Sequence, residues 1–156
     1  MLSTLYLIWM IAVKLSLYSP FMVEGDSMLP TLPNQEIFLI DKSVENKPED
    51  LKRGDIIVFS FDDKYYYVKR LIGLPGEYLK INAEGVWIKG SDGNFQLLNE
   101  FYLGGRKFKY GDERYFIVPE KQYFVLGDNR DHSKDSRYFE PPYVQLGQIY
   151  GKYIFP

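Results

Sequence analysis

The sequence predicts a mostly β fold carrying an inserted hairpin-rich segment and one short N-terminal membrane-anchoring helix. Three observations lead there. Aromatic residues make up 17% of the 156 residues, with 14 Tyr and 11 Phe, and such side chains suit broad pleated surfaces. After Pro20 the apolar runs are short and punctuated by Gly, Pro, Asn or Asp, the pattern of strands joined by turns. Before Pro20 the chain is apolar almost throughout, with Lys14 as the one charge.

The N-terminal stretch comes first. Met1 to Val23 is long enough to cross a bilayer as a helix, but Lys14 lies inside it and Pro20 ends any helix before that point. A short or tilted anchor, with Lys14 snorkelling to the interface, is the favoured reading. A cleavable signal peptide is disfavoured by the missing basic n-region, and a buried core helix is the remaining alternative. The flanks carry few positive charges and do not set the orientation.

Strand candidates follow in order: Ile37 to Ile40, residues 56–61 (IIVFSF), residues 65–73 (YYYVKRLIG), Tyr78 to Ile81, Val86 to Ile88, Arg114 to Val118, Gln122 to Leu126 and Gln148 to Phe155. Between Ala83 and Gly111 the composition shifts to Gly, Asn, Asp and Lys, which reads as an exposed insertion. In the 65–73 strand, alternation places Tyr65, Tyr67, Lys69 and Leu71 on one face and Tyr66, Val68, Arg70 and Ile72 on the other. Lys69 thus sits among apolar neighbours, and a lysine deprived of water loses its preference for the charged form.

Composition narrows the chemistry. The net charge of −2 and the pI near 5.5 give a phosphate backbone nothing to bind, so no nucleic-acid partner is expected. There is no Cys, which excludes disulfides, thiol chemistry and Cys-based zinc sites, and the single His132 rules out a His-rich metal site. No metal and no cofactor are expected.

Two loops carry candidate chemistry. VEGDSMLPTLPN, residues 23–34, sets Ser27 in a turn flanked by Gly25 and Pro30, where a hydroxyl is exposed and backbone N–H groups can face a developing oxyanion. A turn serine without function is the ordinary alternative. No G-x-S-x-G elbow is present, and a Ser-His-Asp arrangement would have to use His132. GDNRDHSKDSRYF, residues 127–139, packs Asp128, Asp131 and Asp135 beside Arg130, Lys134 and Arg137. It fails as a calcium loop, because Arg130 and His132 would fall at ligand positions. It reads either as a solvated polar turn or as carboxylates clamped by guanidinium forks.

Together these segments resemble the type I signal peptidase family. PFMVEGDSMLPTL, residues 20–32, is similar to its nucleophile motif; YYYVKRLIGLPGE, residues 65–77, to its lysine motif; and GDNRDHSKDSRYF to its third motif. KLSLYSPF, residues 14–21, is similar to the basic and Pro-aromatic residues between anchor and nucleophile. The resemblance implies a membrane-bound serine endopeptidase with a Ser-Lys dyad, Ser27 as nucleophile and Lys69 as general base. Ser133 would hydrogen-bond Lys69, Arg70 would pair with Asp128, and Asp135 and Arg137 would complete the support.

It further implies an anchor over residues 1–19 and a catalytic domain over 20–156, with the insertion at about 83–111. The protein would be single-pass in the cell membrane with the catalytic domain on the extracytoplasmic side. Its partners would be the lipid bilayer and preprotein signal peptides with small side chains one and three residues before the cut, bound as an added strand. Gly25 stands where some members carry a serine that helps bind the oxyanion, and His132 stands where Asn is usual. A self-cleaving repressor with the same dyad, and an inactive membrane-tethered β module, are the competing readings; the first lacks a DNA-binding segment and an Ala-Gly cut site, and the second would have lost Ser27 or Lys69.

Overall fold

The computed structural model describes Thr4, Tyr6, Ile8 and residues 17–45, 47–106, 108 and 111–154. Eleven strands form two antiparallel sheets among these residues. The strands are β1 (Tyr18–Met22), β2 (Ile37–Asp41), β3 (Ile56–Ser60), β4 (Tyr66–Gly73), β5 (Tyr78–Asn82), β6 (Gly85–Lys89), β7 (Phe95–Leu97), β8 (Arg114–Ile117), β9 (Gln122–Leu126), β10 (Val144–Gln145) and β11 (Ile149–Ile154). The large sheet has seven strands in the order β1-β2-β11-β3-β4-β9-β10, and the small one has four in the order β7-β6-β5-β8. The mostly β expectation is met, and every strand candidate matches an observed strand to within a residue or two at its ends.

The large sheet curls. β1 and β4 stand four places apart in the strand order, yet the Phe21 ring meets the Tyr66 ring edge-on at 5.4 Å. The two faces of the sheet bury separate cores. Val23, Met28, Leu32, Phe38, Ile40, Ile56 and Val58 pack together on one side, with Phe21 and Val68 against them. Ile57, Phe59, Leu71, Tyr123 and Val125 pack on the other, with Tyr67 and Phe139 against them. The small sheet closes a third core through Leu79, Ile81 and Val86 on Ile72, Phe124 and Leu126.

Three expectations change. Residues 1–19 were expected to form the anchor, but Tyr18 and Ser19 already belong to β1. Pro20 sits within that strand opposite Leu39, which an edge strand tolerates because no partner needs its missing N–H. Thr4, Tyr6 and Ile8 are helical, but no helix among the described residues is long and apolar enough to cross a membrane; the rest of the expected anchor helix, up to residue 16, lies outside them. The insertion is not simply exposed, since Val86 and Leu103 are buried. Besides β6 it contributes β7, a strand of three residues that paired register reveals and composition does not.

Candidate active site

Ser27 lies in a turn whose apolar residues face inward. Met28 and Leu32 are fully buried beside Phe38, Ile40 and Val58, so hydrophobic burial fixes a loop that hydrogen bonds alone would leave loose. The turn is tied again at its ends. The Gly25 N–H donates to Asn34 Oδ1 at 2.9 Å, Asn129 Nδ2 donates to the Asp26 carbonyl at 3.0 Å, and the Asn129 N–H donates to the Ser27 carbonyl at 3.0 Å. Gly25 adopts φ +89° with open space around it, a backbone that favours glycine.

Lys69 arrives from β4. Its cross-strand partner is Ile57 and it follows Val68, which faces the opposite core. Lys69 is almost fully buried, at 4% exposure. Nζ lies 2.8 Å from Ser27 Oγ and donates to the Val68 carbonyl at 2.7 Å. Burial pushes the Lys69 pKa down to about 8, against the pull of the Asp135 and Asp128 carboxylates. Leu71 and Tyr67 share its face as expected. Tyr65 does not help to dry it: this residue precedes the strand and is 59% exposed.

Behind Lys69 stands a set of buried ion pairs. Arg70 forks onto Asp128, with Nε donating to Oδ1 at 2.8 Å and Nη2 to Oδ2. Asp128 is fully buried and also accepts from Thr31 Oγ1, while Arg70 Nη1 donates to the Gly54 carbonyl at 2.7 Å. Arg137 forks onto Asp135 at 2.8 and 2.9 Å, and Asp135 Oδ2 accepts the Gly127 N–H at 3.0 Å. The Arg70–Asp128 pair is the one the resemblance implies; Asp135 and Arg137 pair with each other. In both pairs each carboxylate oxygen accepts at least one hydrogen bond, the satisfied geometry that a buried ion pair needs.

Ser133 departs from expectation. Its Oγ is buried with no hydrogen-bond partner, so the bond to Lys69 is not formed. The side chain sits instead against the bare Cα of Gly127. A Cβ there would collide with Ser133 Oγ and come within 2.5 Å of the Ser27 carbonyl. His132 is exposed at the surface, and it is Lys69 that reaches Ser27 Oγ.

Two residues of the insertion join the site without any sequence signal for it. Glu100 accepts from Arg130 Nη1 at 2.8 Å and from Arg130 Nη2, and Arg130 Nε donates to the Gly127 carbonyl at 3.0 Å. Tyr102 donates to Glu100 Oε1 at 2.7 Å and lies under the Arg70 guanidinium, 3.9 Å from ring centroid to carbon. Burial, then the Glu100 charge, pushes the Tyr102 phenol well above its usual range, which keeps it a donor.

A cleft of about 550 Å³ opens over Ser27 and Lys69, walled by Phe21, Met22 and Glu24 on one side and by residues 64–68 on the other. β4 pairs with β3 from Tyr66 to Arg70, but with β9 only from Arg70 onward. Its outer edge from Tyr66 to Lys69 is therefore unpaired within the sheet and lies along the cleft.

Comparison with known proteins agrees with the geometry. The chain is 39% identical over 135 residues to "Signal peptidase I P" of Bacillus subtilis subsp. natto, covering 84% of this chain and 72% of the relative. It is 36% identical over 166 residues to the signal peptidase I of Bacillus caldolyticus, covering 94% and 86%. A crystal structure of a signal peptidase I from Enterococcus faecalis V583 superposes with a TM-score of 0.53 at 34% identity, over 66% of this chain and 96% of that one. Residues 1–156 match the family described as "Signal peptidase, peptidase S26", and the chain belongs to that signal peptidase family.

Proposed function

We propose that the chain is a serine endopeptidase that removes signal peptides from exported preproteins, with Ser27 as nucleophile and Lys69 as general base. The observation that carries this reading is the 2.8 Å approach of Nζ of the buried Lys69 to Oγ of the half-buried Ser27 in the cleft. A neutral amine has two N–H groups and one lone pair. The Val68 carbonyl takes one N–H, which leaves the lone pair free to accept the Ser27 hydroxyl proton. Oγ then attacks the scissile carbonyl. The lysine returns the proton to the leaving amine, and an acyl-enzyme forms on Ser27. A water activated by the same amine releases the signal peptide. The Ser27 N–H is the oxyanion donor this turn offers; Gly25 brings no hydroxyl, so a second donor from the backbone or solvent completes the hole.

The substrate binds as an added strand on the free edge of β4 between Tyr66 and Lys69, satisfying its N–H and C=O groups. The Phe21 and Val68 side of the cleft takes the side chains one and three residues before the cut. Its floor is already filled by packed aromatic and β-branched groups, so it has room for small side chains. Asp128 and Asp135, locked by Arg70 and Arg137, hold the strand and loop that bring Lys69 to Ser27.

The protein acts at the membrane, anchored through its first residues, with the catalytic domain on the extracytoplasmic side. The apolar N-terminal stretch supports this, as do the exposed Tyr18 and Met22 of β1, which follows it in sequence, and Leu39 of the paired β2. The test is cleavage of a purified preprotein by the full chain in detergent. Cleavage that Ser27→Ala abolishes is expected. Cleavage that survives Ser27→Ala would overturn the dyad.

A further inference from the structure

The cleft over Ser27 does not end at Tyr67. Tyr67 and Lys134 also line a second cavity, of about 250 Å³, with an aromatic wall of Phe61, Tyr138, Phe139 and Tyr143 and a polar side that includes Glu140 and Gln145. Its walls are braced. Phe139 packs edge-on against Phe61 at 5.1 Å and against Tyr67 at 6.0 Å, and Tyr67 stacks on Phe59 at 5.5 Å. Such an aromatic pocket is preformed, and it is open to solvent at its rim: Tyr138 is 63% exposed and Phe61 42%. An exposed aromatic wall next to a substrate cleft is costly to leave wet and suits an apolar side chain laid against it.

The strand geometry says which side chain reaches it. Val68 and Tyr67 are neighbours on β4 and point to opposite faces of the sheet, Val68 toward the core shared with Phe21 and Tyr67 toward the core shared with Phe59. A peptide added along this edge alternates in the same way. If the side chains one and three residues before the cut enter the Phe21–Val68 side, the one two residues before it points to the Tyr67 side. That is where the second cavity opens. We infer that the pocket of Phe61, Tyr67, Tyr138 and Phe139 is a subsite for the side chain two residues before the cut, and that it takes a large apolar or aromatic group. Lys134 and Glu140, of opposite charge, both line this cavity, so its discrimination is by size and apolarity and not by the sign of a charge. This inference rests on the Ser27–Lys69 reading and on strand addition to β4.

The experiment uses the full chain in detergent and a set of peptides spanning one signal-peptide cut. Alanine is kept one and three residues before the cut, and Phe, Leu, Ala or Lys is placed two residues before it. The Phe and Leu peptides are expected to exceed the Ala and Lys peptides in kcat/KM by about ten-fold or more. Tyr138→Ala should bring the Phe-to-Ala ratio close to one. Equal cleavage of all four peptides by the wild type would overturn the subsite while leaving the proposed function intact. A Phe preference that Tyr138→Ala does not reduce would overturn it too. Failure to cut any of them, with intact preprotein also uncut, would overturn the proposed function and the subsite with it.

Discussion

Glu100, from the insertion, closes a two-pronged ion pair on Arg130 of the Gly127–Phe139 loop, and Arg130 in turn holds the Gly127 carbonyl. Arg130 is 1% exposed, so its charge has no solvent to fall back on. The insertion therefore helps to fix the loop that packs against the Ser27 turn. Glu100→Gln should leave that guanidinium without its counter-charge and cost on the order of 3–5 kcal/mol of stability, read as a fall in urea midpoint. Glu100→Gln with Arg130→Met should lose less than the sum of the two single changes. An additive result would show that the pair is not coupled.

Arg70 and Asp128 make the parallel case on the strand side. Asp128 is fully buried and Arg70 nearly so, and each leaves a bare charge when the other is removed. Arg70→Ala and Asp128→Ala should each lower the melting temperature and the preprotein cleavage rate, and the double variant should lose less than the sum. Thr31, whose hydroxyl donates to Asp128, gives a graded control. Thr31→Val should cost about 1 kcal/mol, the net worth of one hydrogen bond, with a modest addition because the acceptor is charged.

Most of this architecture was legible because one kind of signal coincided with another. Lys69 and Arg70 could be assigned to opposite faces from alternation alone, and the cores on the two sides of β4 bear that out. The Arg70–Asp128 pair was readable only through the resemblance, since nothing local links residues 58 apart. β1 was hidden because its apolar residues run on from the N-terminal stretch and Pro20 argues against a strand unless the strand is an edge. β7 and β10, three and two residues long, are too short for alternation to register. Glu100 and Tyr102 sit in a stretch read as polar and exposed, and a glutamate there carries no mark of the buried arginine it will meet. Ser133 is the converse case: the motif assigned it a bond that the backbone at Gly127 and the position of its Oγ do not provide.

Gly25 offers a test of the oxyanion hole. Its φ of +89° costs any side chain on the order of 1–3 kcal/mol in backbone strain, although no atom stands in the way of a Cβ. Gly25→Ser and Gly25→Ala should therefore lose similar stability in thermal melts. A hydroxyl able to reach the oxyanion should then show as a higher kcat for Gly25→Ser than for Gly25→Ala. Equal kcat values would mean that the serine hydroxyl finds no oxyanion at this turn.

The membrane assignment has its own readout. The full chain should sediment with membranes and resist alkaline carbonate, because its apolar N-terminal stretch is held by burial in hydrocarbon and not by charge. A variant starting at Tyr18, which keeps β1 whole, should move largely to the soluble fraction and still cut peptide substrates. Full-length protein found soluble without detergent would refute the anchor.

Lys69 and His132 give opposite forecasts for the pH dependence of cleavage. Lys69 can take the Ser27 proton only when neutral, and burial has brought its pKa to about 8. Activity should rise with pH along a limb centred near that value, not near the ordinary lysine range. Lys69→Ala should lose several powers of ten in rate, and Lys69→Arg should be as inactive, because a guanidinium keeps its proton. His132→Ala should keep most of the wild-type rate, since His132 is exposed and Lys69 occupies the position at Ser27 Oγ. The same burial has a stability consequence of definite sign. The folded pKa lies below the unfolded one, so between them the unfolded chain binds more protons and stability rises with pH from about 8 upward. Lys69→Met, which removes the desolvated ammonium, should abolish cleavage, raise the melting temperature at neutral pH and flatten this pH dependence. A Lys69→Arg enzyme that still cuts near the wild-type rate while His132→Ala is dead would replace the lysine mechanism with a histidine one.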